Sequence, residues 1–505
     1  MSKTRLGVVM LPSAYIFTLL SIIFRAASGA LVACDELQAR FSEESSGVEI
    51  PKYIAPNSST YLNRTIVSWS SNCWQNASCI VSPASPKDVA EVLSIVTSTG
   101  ASFSIRSGGH DFNKNHSSVE GGVIIDLVNL NGISLSADGT NVTIGVGRRW
   151  GEVYKALNGT GVSVNGARDS SPGVGGQTLA GGQGWFSSIA GVTAASVIAA
   201  EVVLANSSII HATEEYAADL LWALKGGGPN YGIVTSFTFK TLPVKKVWSL
   251  YRSFSSDKNQ KLLDALIEYG HLASHDNKAS LAFGLSQDTS SPRSFVWLFY
   301  ADTTEFPDVF RPFYDIEPAT EGISSTVGTQ ADFALPSPQF PDPGTVPLRH
   351  YVVTLPHKRD NATYRDGYAA YTSFAEQAIA SGWTMSYGSQ LFSVSAVKAS
   401  SKTPLGLEVV DQDWIHCTLQ WENPEDDTVA MQLIVNLGQR LAEVSAVHNS
   451  QLDYRFMNDA YDGQNALSSY GAENFKKLLD ISKIYDPTRV FQRLQHGGWL
   501  LSKEI

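Results

Sequence analysis

The sequence predicts an α+β fold of two domains and a C-terminal segment, on three observations. The chain has 505 residues, more than one domain of typical size requires. Strand-like and helical patterns alternate through residues 73–244, which predicts a first domain. Residues 245–443 lack glycine clusters and mix helical with strand-like stretches, which is typical of an α+β domain on an antiparallel sheet. Residues 444–505 form the last segment.

The helix signals of the first domain are clearest near its start. Ser85 is the predicted N-cap of a helix that Gly100 ends, with Asp88 reaching back to the cap. Two more helices are predicted, one over residues 150–157 and one that Thr213 caps. Strands are predicted over residues 102–106, 122–127, 141–146, 197–204 and 231–240.

The second domain and the C-terminal segment show longer elements. Helices are predicted over residues 262–272, 364–381 and 470–491, and strands over residues 349–355 and 415–421. Residues 336–347 are rich in proline and predict an irregular loop.

The first thirty residues have the pattern of an export signal. Lys3 and Arg5 precede an apolar stretch over residues 6–24, and Ser28-Gly29-Ala30 offers small residues for cleavage. A signal peptide over residues 1–30 is predicted, with a membrane anchor as the alternative because the stretch approaches the length of a spanning helix. Eight Asn-x-Ser/Thr sequons fit a secreted glycoprotein and lie at Asn57, Asn63, Asn76, Asn115, Asn141, Asn158, Asn206 and Asn361.

The charge and the cysteines limit which partners, disulfides and metal sites the chain can have. The formal net charge of −11 argues against a nucleic-acid partner, because binding phosphates needs a cationic face. The four cysteines Cys34, Cys73, Cys79 and Cys417 allow three pairings if all are bridged, and spacing does not choose among them. Cys417 is expected to be a buried apolar thiol. The sequence contains no Cys-x-x-Cys pair and no Cys/His cluster that would indicate a metal site.

Three glycine-rich segments lie in the first domain, at residues 106–110, 173–184 and 226–232. The first, Arg106-Ser107-Gly108-Gly109-His110, directly follows a predicted strand, where successive backbone N–H groups can form a nest for a diphosphate. The second carries six glycines in twelve residues, which suits a chain lying against a flat, bulky cofactor. Neither the dinucleotide fingerprint nor a GxxxxGK[ST] phosphate loop is present.

In this order and spacing, R-S-G-G-H, G-V-G-G-x-x-L-x-G-G-x-G and G-G-G-x-N-x-G-I-V resemble the PCMH-type FAD-binding domain. The match is best with the berberine-bridge-enzyme-like branch of FAD-linked oxidoreductases, especially its secreted fungal members. The resemblance covers the chain from about Cys34 to Phe491. It implies a two-part FAD-binding domain, to which residues 444–505 return, and a separate substrate domain. The residues it assigns to FAD binding are Arg106, Ser107, Gly108, Gly109, His110, Gly175, Gly176, Gly181, Gly182, Gly184, Gly232, Ile233, Val234 and Asn458.

The resemblance also implies how FAD is attached. His110 would bond covalently to the 8α carbon of the flavin ring. Many family members make a second link through a Cys, but Asp169 occupies that position here, so double attachment is not expected. Pro172 replaces an aliphatic residue that gates oxygen in some relatives, which leaves the reactivity with O2 open. The resemblance further pairs Cys34 with Cys79.

A flavin accepts a hydride only where a base can take the substrate's proton. Carbohydrate-oxidising relatives carry a Tyr in a C-terminal N-Y-A-D segment, where this chain has Asn458-Asp459-Ala460-Tyr461. Asp459 is the first candidate base and Tyr461 the second, while a turn-capping role for Asp459 is the alternative. Other polar residues on predicted strands, more readily explained as structural or rim residues, are His350, His416, Gln420 and Glu422.

These features predict a secreted FAD-dependent oxidoreductase. The expected reaction is oxidation of a small organic substrate, a secondary-metabolite intermediate, by hydride transfer to flavin N5 with O2 as acceptor. The missing Tyr argues against a carbohydrate oxidase, which stays one alternative. A second is an FAD-bound cyclase without net redox, and a third is a secreted glycoprotein that has lost its flavin. The intact glycine segments and His110 speak against the third.

Overall fold

Three sheets carry the fold of the part of the chain that is described. The structure is a computed structural model and describes residues 29–42, 48–290, 293–335 and 347–505. Most of the predicted export signal (1–28) and most of the predicted proline-rich loop (336–346) lie outside these residues. No helix within the described ranges is long and apolar enough to cross a membrane.

The first sheet is small and mainly parallel, with strand order β1-β2-β4-β3. β2, β3 and β4 run parallel, whereas β1 is antiparallel to β2. Its strands are β1 (Tyr53–Ile54), β2 (Cys79–Val81), β3 (Phe103–Arg106) and β4 (Val123–Asp126), with helices α1 (29–41), α2 (Ser59–Thr65) and α3 (Pro86–Thr99).

Helix α3 begins and ends as the sequence predicts. The hydroxyl of Ser85 accepts a hydrogen bond from the N–H of Asp88 at 3.1 Å, and Gly100 ends the helix in the left-handed region, at φ 66°. One detail differs, because the Asp88 carboxylate accepts from the N–H of Ala84 at 2.9 Å rather than from the cap. Asp88 therefore bonds to the N–H of the residue before the N-cap, whereas in the usual capping box it would bond to the N–H of the N-cap itself.

The predicted disulfide is confirmed. Cys34 on α1 is bonded to Cys79 at the start of β2, so the first described helix is tied to the first sheet. Cys73 and Cys417 are free and buried, and Cys417 is the buried thiol that was expected.

The second sheet is antiparallel, with strand order β5-β6-β9-β7-β8. Its strands are β5 (Ile133–Leu135), β6 (Asn141–Gly145), β7 (Val197–Val203), β8 (Ile209–Thr213) and β9 (Ile233–Lys240), and its helices are α4 (Trp150–Leu157), α5 (Val174–Leu179), α6 (Ser187–Ala190) and α7 (Ala218–Leu224). The predicted cap at Thr213 is wrong: Thr213 ends β8, its hydroxyl accepts from the N–H of Tyr216 in the following turn, and α7 begins only at Ala218. Tyr216 lies in that turn and is exposed.

The third sheet is antiparallel, as predicted for the second domain, with order β13-β10-β12-β11-β15-β17-β14 and β16 paired to β17. Its strands are β10 (Val247–Phe254), β11 (Ala279–Ser286), β12 (Ser294–Tyr300), β13 (Thr320–Gly328), β14 (Arg349–Lys358), β15 (Thr384–Ser389), β16 (Leu391–Phe392) and β17 (Gln412–Trp421). Its helices are α8 (Asn259–Ala273), α9 (Arg311–Tyr314), α10 (Asn361–Ala380), α11 (Val394–Ala399) and α12 (Asp427–Val447).

The C-terminal segment packs against the first two sheets. The predicted helix over residues 470–491 is divided at Asp486-Pro487 into α13 (Ala472–Tyr485) and α14 (Val490–Arg493). Leu478 and Phe491 belong to the same buried core as the apolar residues of α3 and β9. The boundaries of the predicted domains stay predictions. The first sheet begins before the predicted boundary at residue 73, because β1 pairs with β2.

Candidate active site

A cavity of about 360 Å³ is lined by the glycine segments, the third sheet and the C-terminal segment. This volume falls in the range of small-molecule sites. We call the lining residues of segments 107–110, 173–180 and 228–234 the glycine wall. The lining residues of β11, β12, β14, β15 and β17, together with Gln390 and residues 456–459, form the sheet wall.

The glycine wall depends on a direct approach of two backbone segments. A Cβ atom placed on Gly108 would lie 2.6 Å from the Cα of Gly173, and one placed on Gly173 would lie 2.6 Å from the Cα of Gly108. No real Cβ makes so short a contact, so both positions require glycine for packing. The approach brings the loop after β3 against the segment that leads into α5.

His110 lies in the glycine wall and is part of a short hydrogen-bond chain. Its Nε2 lies 3.0 Å from the hydroxyl of Ser171, which in turn lies 2.5 Å from Oδ1 of Asp169. Burial lowers the pKa of the His110 imidazole, and the Asp169 carboxylate opposes that shift. His110 is therefore neutral at neutral pH.

Behind His110 lies a stack of three rings. Trp69 stacks on His110 with ring centroids 5.0 Å apart, and His350 stacks on Trp69 at 3.9 Å. His350 is fully buried, and neither ring nitrogen has a hydrogen-bond partner among the described residues. Burial, together with the nearby His110, lowers the pKa of His350 to about 3. His350 is thus a neutral packing residue behind the cavity rather than part of its lining.

The sheet wall carries a polar cluster that surrounds Gln390. The amide nitrogen of Gln390 donates to Oδ2 of Asp459 and to Nδ1 of His416, the latter at 3.2 Å. Its amide oxygen accepts from the guanidinium of Arg168, which also donates to the carbonyl of Leu281 at 3.1 Å. One amide therefore positions an acid, an imidazole and a cation at the cavity.

The charges in this cluster follow from burial. Burial lowers the pKa of Arg168 to about 10, with Asp459 opposing the shift, so Arg168 remains a cation at neutral pH. Burial also lowers the pKa of His416, again opposed by Asp459, whose carboxylate lies 3.9 Å from Nδ1. His416 is accordingly neutral, with Nδ1 as an acceptor.

The structure brings only some of the predicted catalytic residues to the cavity. Asp459 and His416 line it. Tyr461 does not line the cavity, and its ring lies 5.3 Å from that of Tyr351. The geometry therefore gives no support to Tyr461 as second base. Gln420 is buried away from the lining and Glu422 is exposed at the end of the sheet.

Most predicted FAD-binding residues lie in the lining, and four do not. Those in the lining are Ser107, Gly108, Gly109, His110, Gly175, Gly176, Gly232, Ile233, Val234 and Asn458. Gly181, Gly182 and Gly184 lie behind it, where the N–H of Gly182 donates to Oδ1 of Asn458 at 3.1 Å. Arg106 is fully buried and paired with Asp126 at 2.7 Å, so it supports β3 and β4 rather than facing the cavity.

Sequence reasoning missed several residues of the lining. Trp69 and Arg168 fall outside the glycine motifs, and Gln390 lies between two short strands. Trp499 enters the lining from the C-terminal end. Only Arg168 had an available signal, as a charged residue beside Asp169 and just before a glycine segment.

Comparison with known proteins identifies an FAD binding domain around the first two glycine segments. Residues 77–213 match the model of an FAD binding domain. The chain is 32% identical over 493 residues to an FAD-dependent monooxygenase of Arthrobotrys oligospora, covering 94% of this chain and 90% of that protein. It is 30% identical over 438 residues to the bifunctional solanapyrone synthase of Alternaria solani, covering 85% of this chain and 82% of that protein.

Solved structures show the same fold at low sequence identity. The 6-hydroxy-D-nicotine oxidase of Arthrobacter nicotinovorans superimposes with a TM-score of 0.73 at 18% identity, over 88% of this chain and 98% of that one. Berberine bridge enzyme gives 0.69 at 18%, over 89% and 96%. Glucooligosaccharide oxidase of Acremonium strictum, described with a 6-S-cysteinyl, 8α-N1-histidyl FAD, gives 0.70 at 19%, over 91% and 97%.

The residues present fit an FAD molecule. The close approach of Gly108 and Gly173 leaves backbone rather than side chains at the cavity, as a bulky cofactor needs. Gln183 lines the same cavity, and its buried Oε1 has no hydrogen-bond partner among the described residues. A buried acceptor left unsatisfied by protein atoms is a place for a ligand donor. His110, neutral and in the glycine wall, is the residue that would carry a covalent bond.

Proposed function

Because the chain belongs to the berberine-bridge-enzyme-like family of FAD-dependent oxidoreductases, we propose that it oxidises a small secondary-metabolite intermediate with FAD held covalently on His110. The proposal includes hydride transfer to flavin N5 and O2 as the final acceptor. The observation that carries it is the cavity itself, which joins a backbone wall suited to FAD with a sheet wall that holds a carboxylate.

The attachment through His110 is supported by its protonation state and position. A neutral imidazole has a free electron pair with which to form a bond, and burial keeps His110 neutral. The related glucooligosaccharide oxidase is described with a histidyl FAD. Asp169 stands where a second link would need a Cys, so we propose a single covalent bond.

Asp459 is the proposed base. Asp459 lines the cavity, and its Oδ2 accepts from Gln390, which leaves Oδ1 as the oxygen proposed to meet the substrate. Oδ1 takes the proton of the substrate group that is oxidised, and Gln390, itself held by Arg168, orients the carboxylate. FAD, when bound, supplies the two-electron acceptor for the hydride that leaves the adjacent carbon.

The apolar part of the sheet wall favours a substrate with a hydrophobic body. Phe283, Phe295, Trp297 and Val352 line the cavity, so apolar surface would be buried on binding. A carbohydrate presents hydroxyl groups on all sides and would leave many of them unpaired against these residues. The wall therefore supports a polyketide, terpenoid or alkaloid-like intermediate over a sugar.

Anaerobic mixing of the purified protein with candidate intermediates tests the proposal. Loss of the oxidised-flavin absorbance near the rate of turnover is expected for a hydride acceptor. Turnover with no loss of that absorbance would instead support the FAD-bound cyclase, the second candidate, which the naming of one relative as a bifunctional synthase favours. Product made under ¹⁸O₂ distinguishes an oxidase, which releases H2O2, from the oxygen insertion that the name monooxygenase implies for other relatives.

We further propose that the chain enters the secretory pathway and is N-glycosylated. The Cys34–Cys79 bridge is typical of oxidising compartments. The asparagines of six sequons are exposed, namely Asn57, Asn63, Asn76, Asn158, Asn206 and Asn361. Sequencing of the mature N-terminus, expected near Leu31, and glycopeptide mapping test this; an uncleaved N-terminus on protein without glycans would contradict it.

A further inference from the structure

We propose that Asp169 and Ser171 position His110 for FAD attachment, by fixing which ring nitrogen carries the proton and by receiving that proton. This inference rests on the covalent attachment proposed above and deepens it. It assigns a role to Asp169, the residue that stands where relatives make their second link.

The hydrogen bonds among Asp169, Ser171 and His110 favour one assignment of protons. An ionised carboxylate only accepts hydrogen bonds, so the Ser171 hydroxyl donates its proton to Oδ1 of Asp169, 2.5 Å away. The oxygen of Ser171 is then an acceptor toward His110. We therefore assign the hydrogen to Nε2 of His110, 3.0 Å from that oxygen, and the free electron pair to Nδ1.

The backbone around Ser171 holds this chain in place. The N–H of Ser171 also donates to Oδ1 of Asp169, at 2.7 Å, which fixes the carboxylate against its own turn. Arg149 donates from one guanidinium nitrogen to the carbonyl of Ser171 and from the other to the carbonyl of Gly108 at 2.5 Å. The loop that carries Asp169 is thereby clamped to the loop that carries His110.

The attachment step balances with this arrangement. Nδ1 bonds to the 8α methyl carbon, one C–H bond of that methyl breaks, and two protons and two electrons leave in total. One proton comes from the methyl group, and the other leaves Nε2 through the Ser171 hydroxyl to Asp169. The electron pair passes to the flavin ring and from there to O2, which with two protons becomes H2O2.

Three substitutions test the role by the fraction of FAD that remains with acid-precipitated protein. Asp169→Asn keeps an amide oxygen that can accept from the N–H and the hydroxyl of Ser171, but it removes the carboxylate that receives the proton. Ser171→Ala removes the relay. Each is expected to slow covalent incorporation at least ~10-fold while FAD still binds reversibly. Ser170→Ala removes the neighbouring hydroxyl, which has no bond to His110, and serves as the matched control.

The outcomes separate the two proposals. Full incorporation at the wild-type rate in both Asp169→Asn and Ser171→Ala would overturn the positioning role and leave the His110 attachment intact. An NMR spectrum of the wild-type flavin peptide that shows a bond to Nε2 would also overturn it, whether or not the variants fold. Wild-type protein without covalent FAD, or His110→Ala protein that retains it, would refute the attachment itself and this inference with it.

Discussion

The two walls of the cavity are built in different ways. The glycine wall is rich in glycine, and two of its segments meet so closely that neither Gly108 nor Gly173 has room for a Cβ. The sheet wall is made of side chains, which project from separate strands and meet through one amide, that of Gln390. An added Cβ at Gly108 or Gly173 must move backbone, whereas a side chain of the sheet wall can be exchanged without adding an atom to its backbone. We therefore expect changes in the first wall to affect cofactor binding and changes in the second to affect the reaction.

The largest expected effect is on the reaction, from Asp459→Asn. If Asp459 is the base, anaerobic flavin reduction by substrate should slow ~10²–10⁴-fold while FAD content and substrate affinity stay near wild type. Stopped-flow absorbance measures the rate. Asp462→Asn, three residues on and outside the cavity lining, is the matched control. An Asp459→Asn enzyme as fast as the control would move the role of base to another residue of the sheet wall, with His416 first.

Gly108→Ala should affect cofactor binding instead. Its Cβ would meet the backbone of Gly173, so we expect a loss of ~1–3 kcal/mol or more in the free energy of unfolding, together with a lower FAD content. Denaturant titration and the ratio of flavin to protein absorbance measure the two. Gly132→Ala, where a Cβ would have open space, is the control and should match wild type in both. Equal FAD content in the two variants would show that the close approach is not required.

His350→Phe should change how stability depends on pH. Above pH 6.5 the imidazole is neutral in both states, so its titration contributes nothing there. Below pH 6.5 the unfolded chain binds a proton that the folded chain excludes until about pH 3, so the free energy of unfolding falls as the pH falls. Phe keeps a ring against Trp69 and removes this loss, worth about 2 kcal/mol at pH 5. Thermal unfolding at pH 7 and pH 5 checks it, with the exposed His271→Phe as control; an identical decline in both variants would contradict the prediction.

Tyr461→Phe should have the smallest effect. The Tyr461 ring packs on Tyr351 outside the cavity lining, and Phe preserves that contact. Flavin reduction should therefore stay within about twofold of wild type, and stability within about 0.5 kcal/mol. A 100-fold slower variant would place Tyr461 at the substrate in a state of the enzyme that differs from this one.

The sequence predicted the glycine wall better than the sheet wall, and the reason is physical. A diphosphate nest and a close backbone approach need glycines at neighbouring positions, so the role of residues 106–110 can be predicted from the local sequence alone. The same holds for the cap at Ser85, which depends on residues three apart. Gln390 and Arg168 are 222 positions apart and meet only because the third sheet packs against the glycine segments. No local pattern marks such a pair.

The wrong cap at Thr213 and the position of Tyr461 outside the cavity lining have the same origin. Thr213 carries a side chain that suits both a helix cap and the turn after a strand, and the pairing of β8 with β7 decides between them. Asp459 and Tyr461 are two residues apart in an irregular segment, so the motif alone does not state which one faces the substrate. The N–H of Asp462 donates to Asn113 at 3.0 Å, which helps to turn this part of the segment toward residues that lie outside the sheet wall.

The bond between Cys34 and Cys79 closes a loop of 45 positions around the N-terminal part of the described chain. A protease that cuts once anywhere within this loop would separate the polypeptide into two pieces without releasing either. Such nicked protein would run as a single band on a non-reducing gel and as two bands after reduction. Helix α1 would stay attached to the rest of the protein through the bond, whereas the same cut would release that helix from a chain lacking the bridge.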